Sequence, residues 1–296
     1  KLTNKVKTHR DYTETFTYPD GSTLTRDETS RGGTMDNSFA NAWASYSYIK
    51  PDTTVFMAEF GLFQKLTDKF LYNGLLSLSD GSDDILLTDS HGDKGGTPSL
   101  SLYWQQNFAR KQMLIVNFNS SFYFGRSYSN YLEQLPDARN PWDYVTSINT
   151  EIKDHNQAYA IEADYVKNWT NGRFTAGASY TANRNRSRYD NLDGRIFHQR
   201  QDKVYLFAQY FHRFGKWTAT AGMGVQYTDF LFKETDQGTH TWSPRPQATI
   251  TYSLNQNHNF RLNFTSWQST PSLAETNIVP QQLDGFQWRV GNQNLK

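Results

Sequence analysis

Short and long connections alternate strictly along this chain, between segments in which apolar and polar residues also alternate. The short connections carry turn residues or small polar clusters, at 50–53, 109–111, 168–172, 214–215 and 255–258. The long connections are polar, at 64–98, 126–157, 184–202, 229–241 and 268 to about 285. Loop length has no reason to alternate in a soluble sandwich. A transmembrane barrel, in contrast, has short turns on one rim and long loops on the other.

The segments between these connections have the period of β-strands. In 112–125, QMLIVNFNSSFYFG, one face carries Leu114, Val116, Phe118, Phe122 and Phe124, and the other is mostly filled by Asn117, Asn119, Ser121 and Tyr123. The same alternation predicts ten strands, at 39–49, 55–63, 99–108, 113–125, 158–167, 174–183, 203–213, 216–228, 242–254 and 260–267. Extra hairpins are expected in 1–37.

Strand length and the position of aromatic residues indicate that the apolar face meets lipid. Residues 114–124 number 11, and a strand tilted at about 45° needs roughly 9–11 residues to cross the hydrocarbon core. On 217–227, Trp217 and Tyr227 flank small apolar residues on one face, as in an aromatic girdle at each interface. Glu162 and Asp164 lie on the opposite, inner face of their strand.

These patterns predict an all-β fold, an antiparallel transmembrane β-barrel with a polar interior, short periplasmic turns and long extracellular loops. An unpaired strand edge is costly in lipid, so the barrel must close, and about ten strands are then expected to be part of a larger barrel. The alternative fold is a soluble sandwich, which aromatic-ended amphipathic strands also build.

Composition excludes several other classes of protein. Mean hydropathy is only −0.76, but aromatic residues make up 16% of the chain, which argues against disorder. The net charge of +1, from 30 basic and 29 acidic residues, gives no reason to expect nucleic-acid binding. The chain has no cysteine for a disulfide or a thiolate site, and no apolar run as long as the roughly 18 residues of a membrane helix.

Several motifs in the second half of the chain resemble a known family. They are Trp242-Ser243-Pro244-Arg245 before a strand, the strand Asn259-Phe260-Arg261-Leu262-Asn263-Phe264, Thr270-Pro271-Ser272-Leu273, and Gly291-Asn292-Gln293-Asn294-Leu295-Lys296. Together they resemble the barrel of TonB-dependent outer-membrane receptors of the Bacteroidetes type. The last motif is similar to the family's GNPNLKPE segment, with Gln293 in place of proline. The strand pairs around 98–114 and 171–177 are also similar to this family, whereas 1–97 match only by general pattern.

The resemblance implies a function, a location and partners. Residues 1–296 would be the central section of a single barrel domain of about 22 strands, with the plug domain and the TonB-contacting segment outside this sequence. The protein would reside in the bacterial outer membrane and take up a nutrient such as an iron chelate, a glycan, cobalamin or a peptide. Its partners would be membrane lipid, lipopolysaccharide, TonB and the nutrient. A structural or adhesive barrel without energised transport, and a soluble carbohydrate-binding β protein, are the alternatives.

The sequence predicts no enzymatic activity, no catalytic or cofactor-binding residue and no metal centre, and it leaves the substrate-binding residues unknown. The histidines at positions 9, 91, 155, 198, 212, 240 and 258 lack metal-ligand spacing, and phosphate-loop and nucleophile-elbow motifs are absent. For each of three further features, the sequence leaves a functional and a structural interpretation open. The acidic stretch 79–93 suggests either a calcium site or a solvated loop. Arg184, Arg186 and Arg188 suggest either capture of lipopolysaccharide or another acidic ligand, or a hydrated strand end. The aromatic residues of 140–144 and 281–288 suggest either ligand contact or packing of loops over the barrel mouth.

Overall fold

Alternating side chains and tight turns produce the long antiparallel strands of the computed structural model, which describes residues 4–140, 143–269, 271–273, 275–292 and 295. For Asn4 and Gln237 only the main chain is described. The strands are β1 (Asn4–Thr8), β2 (Tyr12–Thr17), β3 (Thr23–Lys50), β4 (Thr54–Leu78), β5 (Ile85–Phe108), β6 (Gln112–Gln134), β7 (Thr146–Asn168), β8 (Gly172–Tyr189), β9 (Arg195–Phe214), β10 (Trp217–Phe232), β11 (Gln237–Ser253), β12 (Asn259–Thr265), β13 (Gln281–Gln282) and β14 (Trp288–Arg289). A 3₁₀ turn lies at Asp190–Leu192.

One antiparallel sheet of twelve strands contains β1 to β12, and it is open, with β3 to β12 each paired to the next strand in the sequence. β1 and β2 both pair with the same edge of β3, as two parts of one interrupted strand. All ten strands expected from the sequence are present, and β1, β2 and the beginning of β3 account for the hairpin expected in 1–37. Since these strands share one sheet, the two-layer sandwich is not the fold of the described residues.

The short turns are confirmed at one rim of the sheet, which we call the short-turn rim. The strand ends leave only residues 51–53, 109–111, 169–171, 215–216 and 254–258 between consecutive strands. Asp52, Arg110 and Lys111 adopt left-handed backbone angles there, with φ between 57° and 61°. Gly215 has φ of 58°, a conformation that glycine adopts without the steric cost of a side chain.

The long connections are mostly strand rather than irregular loop, so the predicted strand ends on that side were wrong. β4 continues to Leu78 and β5 starts at Ile85, and only residues 79–84 separate them. Likewise, only residues 135–145, 190–194 and 233–236 separate the next three pairs. Beyond the lipid the outer face of a hairpin is hydrated and parts of its inner face are packed, so the apolar–polar period that identifies the membrane-crossing part of each strand is lost. Register shifts near Ser38 and Gln64 further interrupt the pattern.

The two faces of the sheet follow from the strand registers, because directly paired residues point to the same side. We call the face that packs against residues 268–292 the inner face. Gln199 and Gln201 point to it, so Leu206 and Tyr210 point to the outer face. The outer face carries an exposed apolar band that includes Leu62, Phe124, Ile161, Leu206, Met223 and Leu262. The orientation expected for 112–125 and 217–227 is confirmed by these registers.

Aromatic residues mark both ends of this apolar band. On the β10–β11 pair, Trp217 lies beside Tyr252 with ring centroids 4.6 Å apart, and Tyr227 lies beside Trp242 at 4.8 Å. The two ring pairs are ten residues apart along β10, the length of strand that crosses a hydrocarbon core. No helix in the described ranges is long and apolar enough to span a membrane.

The inner face is mainly polar, as expected, but it includes apolar residues on β3 and β4. Phe39, Trp43, Met57 and Phe63 lie on this face, and all are exposed. Further from the short-turn rim the inner face holds two apolar clusters. One contains Tyr72, Leu76 and Leu87, and the other contains Tyr189, Phe230, Phe232 and Val279. The core of the described chain therefore lies on the inner face of the long hairpins.

Candidate functional site on the inner face

We call residues 268–292 the C-terminal segment; its described residues follow the end of β12 that is farther from the short-turn rim, and they lie against the inner face. The side-chain amide of Gln201 donates to the backbone carbonyl of Pro271 at 3.0 Å, and that of Gln199 donates to Leu273 at 2.9 Å. Val279 is buried beside Phe230 and Phe232. Inward amides and apolar rings of β9 and β10 thus hold the first half of the segment.

The second half of the segment reaches the β2–β3 hairpin at the other side of the sheet. Asp284 forms an ion pair with Arg26 of β3 at 2.8 Å. The ring of Phe286 stacks on Phe16 of β2, with centroids 5.5 Å apart. The segment therefore crosses the inner side of the sheet, from β9 and β10 at one end to β2 and β3 at the other.

Arg26 is the centre of this contact. Its side chain is only 1% exposed, and it also pairs with Glu14 at 2.5 Å. The guanidinium lies 5.5 Å from the ring centre of Phe16 and 5.7 Å from that of Phe286. Burial alone would lower the pKa of Arg26, but the hydrogen bond and charge of Asp284 outweigh it and raise that pKa above its ordinary value. The group therefore stays charged, and breaking the pair leaves a buried cation short of a partner.

A cavity of about 500 Å³ lies between the C-terminal segment and the sheet. Its walls combine polar side chains of the inner face with three residues of the segment, and they comprise Ser121, Tyr123, Asn156, Ala158, Asn183, Gln201, Lys203, Pro271, Ser272 and Leu273. The volume falls within the roughly 300–1,000 Å³ of small-molecule sites. Amide groups, hydroxyl groups and one ammonium group can together bind a polar solute rich in oxygen atoms.

The position of Tyr123 in the cavity wall is fixed by its neighbours. Its hydroxyl donates to Asp93 at 2.9 Å, and Asp93 also pairs with Lys65 at 2.9 Å. The ring lies over Gly95 and Gly125, where a β-carbon would overlap it. The two glycines are paired across β5 and β6. The ring of Tyr123 can therefore lie against the backbone of both strands because neither residue has a β-carbon.

The three arginines of β8 point away from this cavity. Arg184, Arg186 and Arg188 share the outer face, so their common direction agrees with the alternation in the sequence. Arg184 pairs with Asp202 at 2.7 Å, and Arg188 lies 3.5 Å from Asp190. Capture of an acidic ligand inside the sheet by these residues is therefore incompatible with their orientation.

The acidic residues of 79–93 separate from one another. Asp80 accepts hydrogen bonds from Ser82, Asp84 accepts one from Ser77, and Asp93 points to the inner face. Across the part of the chain that the structure describes, no three His, Asp or Glu side chains are placed to hold a metal ion. The histidines are also dispersed. For example, His212 stacks with Tyr210 and Phe214.

The aromatic residues of 281–288 behave in two ways: one ring is packed and another is exposed. Phe286 packs on Phe16, as in the interpretation that loops cover the mouth, whereas Trp288 is 62% exposed. Pro141 and Trp142 of the 140–144 loop lie outside the described residues.

The sequence did not single out Arg26, Gln199 or Gln201 as functional. The only signal for Arg26 was its position two residues after Leu24 on the same face of a strand.

Comparison with known proteins adds a family and a distant structural likeness. Residues 106–296 match the model of the outer membrane protein beta-barrel family. Among solved structures, the crystal structure of the ferric citrate transporter FecA in the unliganded form has a TM-score of 0.34 and 9% identity. The match covers 88% of this chain and 43% of that one, so the chain spans less than half of the FecA structure. No curated protein matches the sequence.

Proposed function

Since the chain belongs to the outer membrane protein beta-barrel family, we propose that it forms part of the barrel of a TonB-dependent receptor for nutrient uptake. The strands cross the bacterial outer membrane, with the short turns on the periplasmic side and the long hairpins outside. In this proposal 1–296 are one section of a single barrel domain. The plug and the TonB-contacting segment lie elsewhere in the protein.

The observation that supports uptake best is the cavity beneath the C-terminal segment, whose wall carries amide, hydroxyl and ammonium groups. It opens on the inner face at the extracellular end, where a solute would first enter a barrel. Lys203, Asn156 and Asn183 supply donors, so the ligand carries exposed oxygen acceptors. A ferric chelate with carboxylate or hydroxamate oxygens, a glycan, cobalamin and a peptide all satisfy this requirement.

The function is proposed to be transport rather than catalysis. The donors around the cavity suit recognition. The residues that line it include no paired nucleophile and base of the kind that covalent catalysis requires. Energy for release into the periplasm would come from TonB acting on the plug.

Growth of a deletion strain tests the proposal. The strain is supplied with ferric chelates, cobalamin, glycans or peptides as the sole source of the nutrient, with and without a functional TonB. We expect one class to require both the gene and TonB, and Lys203→Gln to reduce uptake of that nutrient at limiting concentration. Lys50→Gln, at the short-turn rim, is the matched control. Growth that needs the gene but not TonB would favour a passive barrel and overturn the proposal.

A further inference from the structure

Basic residues of the outer face lie directly above the aromatic end of the apolar band. Tyr180 belongs to that aromatic end, and Arg184, Arg186 and Arg188 follow it on the same face of β8. Arg186 lies between His155 of β7 and His198 of β9 in the strand registers. The rings of Phe124 and His155 are in edge contact, with centroids 5.4 Å apart. The cations are thus at the level where lipid headgroups meet the acyl chains.

These residues line an open groove of about 660 Å³. Its basic or imidazole side chains are His155, Arg184, Arg186, His198, Arg200 and Lys233. Asp236 is the only carboxylate among the lining residues. A groove with this composition favours an anion with several oxygen atoms, because guanidinium groups bind phosphate oxygens in pairs.

Carboxylates neighbour three of these side chains, whereas Arg186 and Lys233 have no carboxylate partner among the described residues. Arg184 pairs with Asp202 at 2.7 Å, and Arg200 pairs with Asp229 at 2.9 Å. His198 contacts Glu234 at 2.8 Å. Arg186 is exposed and has no ion-pair or hydrogen-bond partner among the residues that the structure describes. Its guanidinium therefore has donors free for a ligand.

The position of the groove determines where that ligand comes from. It opens on the lipid-facing side of the sheet, so a solute in the barrel interior has no access to it. A molecule anchored in the outer leaflet presents its headgroup at this height, with its acyl chains against Phe122 and Tyr180, which lie closer to the short-turn rim on the same face. We propose that Arg186 and this groove bind the phosphate group of a phosphorylated lipid of the outer leaflet, with lipopolysaccharide as the chemical type. The inference depends on the membrane location and not on nutrient transport.

Native mass spectrometry of the full-length protein in detergent, with added lipid A, tests the site. We expect bisphosphorylated lipid A to bind to the unaltered protein. Arg186→Gln should weaken that binding about tenfold, as loss of a charge-assisted hydrogen bond does. Arg186→Lys should retain part of the affinity. Arg110→Gln removes the same charge from the short-turn rim and should leave binding unchanged. Heat-modifiable mobility in gel electrophoresis verifies that each variant is folded.

Two further arms separate the possible sources of phosphate. Lipid A without its phosphate groups should bind at least tenfold more weakly, and equimolar inorganic phosphate should not displace bisphosphorylated lipid A. Equal binding of the dephosphorylated lipid would overturn the proposal, since hydrophobic contact would then be sufficient. Displacement by equimolar inorganic phosphate would overturn it in favour of a site for a free anion. Equal losses in Arg186→Gln and Arg110→Gln would overturn it in favour of general electrostatic attraction.

Discussion

Arg26 and Asp284 are separated by 258 positions in the sequence, yet their side chains form a buried ion pair of 2.8 Å. Through this pair the C-terminal segment is attached to the β2–β3 hairpin. At its other end the segment is held by Gln199, Gln201 and the cluster around Val279. Both attachments are on the inner face, and the polar cavity lies under the segment near Leu273.

Asp284→Ala should release the second half of the C-terminal segment. Removal of one partner of a buried ion pair costs roughly 3–5 kcal/mol, and the lower end applies because Glu14 still pairs with Arg26. We expect faster cleavage within 275–292 by a protease added to intact cells. Asp143→Ala, in an exposed loop, is the control. Equal cleavage rates in the two variants would show that the ion pair does not hold the segment.

Gly125→Ala should destabilise the extracellular half of β5 and β6. The added methyl group would overlap the ring of Tyr123 and force it away from Asp93, at a cost of about 1–3 kcal/mol. The measurement is the unfolding temperature in detergent. Tyr123→Phe removes only the hydrogen bond, and Gly125→Ala combined with Tyr123→Ala removes the overlap. If the double variant does not regain stability relative to the sum of its single changes, the ring contact is not the cause.

Met223→Arg should reduce the stability and the outer-membrane yield of the protein. Met223 is 53% exposed on the lipid-facing side and lies near the middle of β10's apolar band. An arginine at the bilayer midplane costs roughly 2–4 kcal/mol in a barrel. Asn117 lies about as far from the short-turn rim along β6 as Met223 does along β10, but on the inner face, so Asn117→Arg should be tolerated. Comparable losses in both variants would contradict the assignment of the two faces.

Asp154 should contribute stability that increases as the pH falls below neutrality. Burial raises the pKa of Asp154 above its ordinary value of 3.8, and the hydrogen bond from Ser187 offsets this only in part. Because the folded state binds the proton more tightly than the unfolded state, stability increases as the pH falls through the raised pKa. Asp154→Asn should lose this part of the pH dependence. Unfolding temperatures at pH 7 and pH 5, with Asp143→Asn as control, measure the difference. An unchanged pH slope in Asp154→Asn would contradict the prediction.

The membrane-crossing part of the sheet was predictable because lipid imposes a rule on every second residue. Val116 and Asn117 differ in polarity for a physical reason, and the strand could be placed from that contrast alone. The region above the membrane follows no such rule. Gln64 to Leu78 of β4 alternates poorly, so it was expected to be loop although it is strand.

The candidate site was predictable only as a set of polar inner residues. The pairing of Arg26 with Asp284, and the donation from Gln199 to Leu273, join segments that no local pattern connects. One feature of Arg186 was predictable, in contrast to these long-range contacts: alternation puts it on the same face of β8 as Arg184 and Arg188. What the sequence could not provide was which side of the sheet carries those arginines, because that depends on the register with β9.

The unequal strand lengths have a consequence for how a ligand reaches the protein. β3 has 28 residues and β10 has 16, although both end at the short-turn rim. The difference amounts to roughly 40 Å of strand at about 3.3 Å per residue. Among the described strands, the part of the sheet beyond the apolar band therefore extends farther from the short-turn rim at β3 than at β10. The cavity next to Pro271 and Leu273 is bordered by the shorter strands β8 and β9, whereas the longest strand, β3, lies at the other side of the sheet.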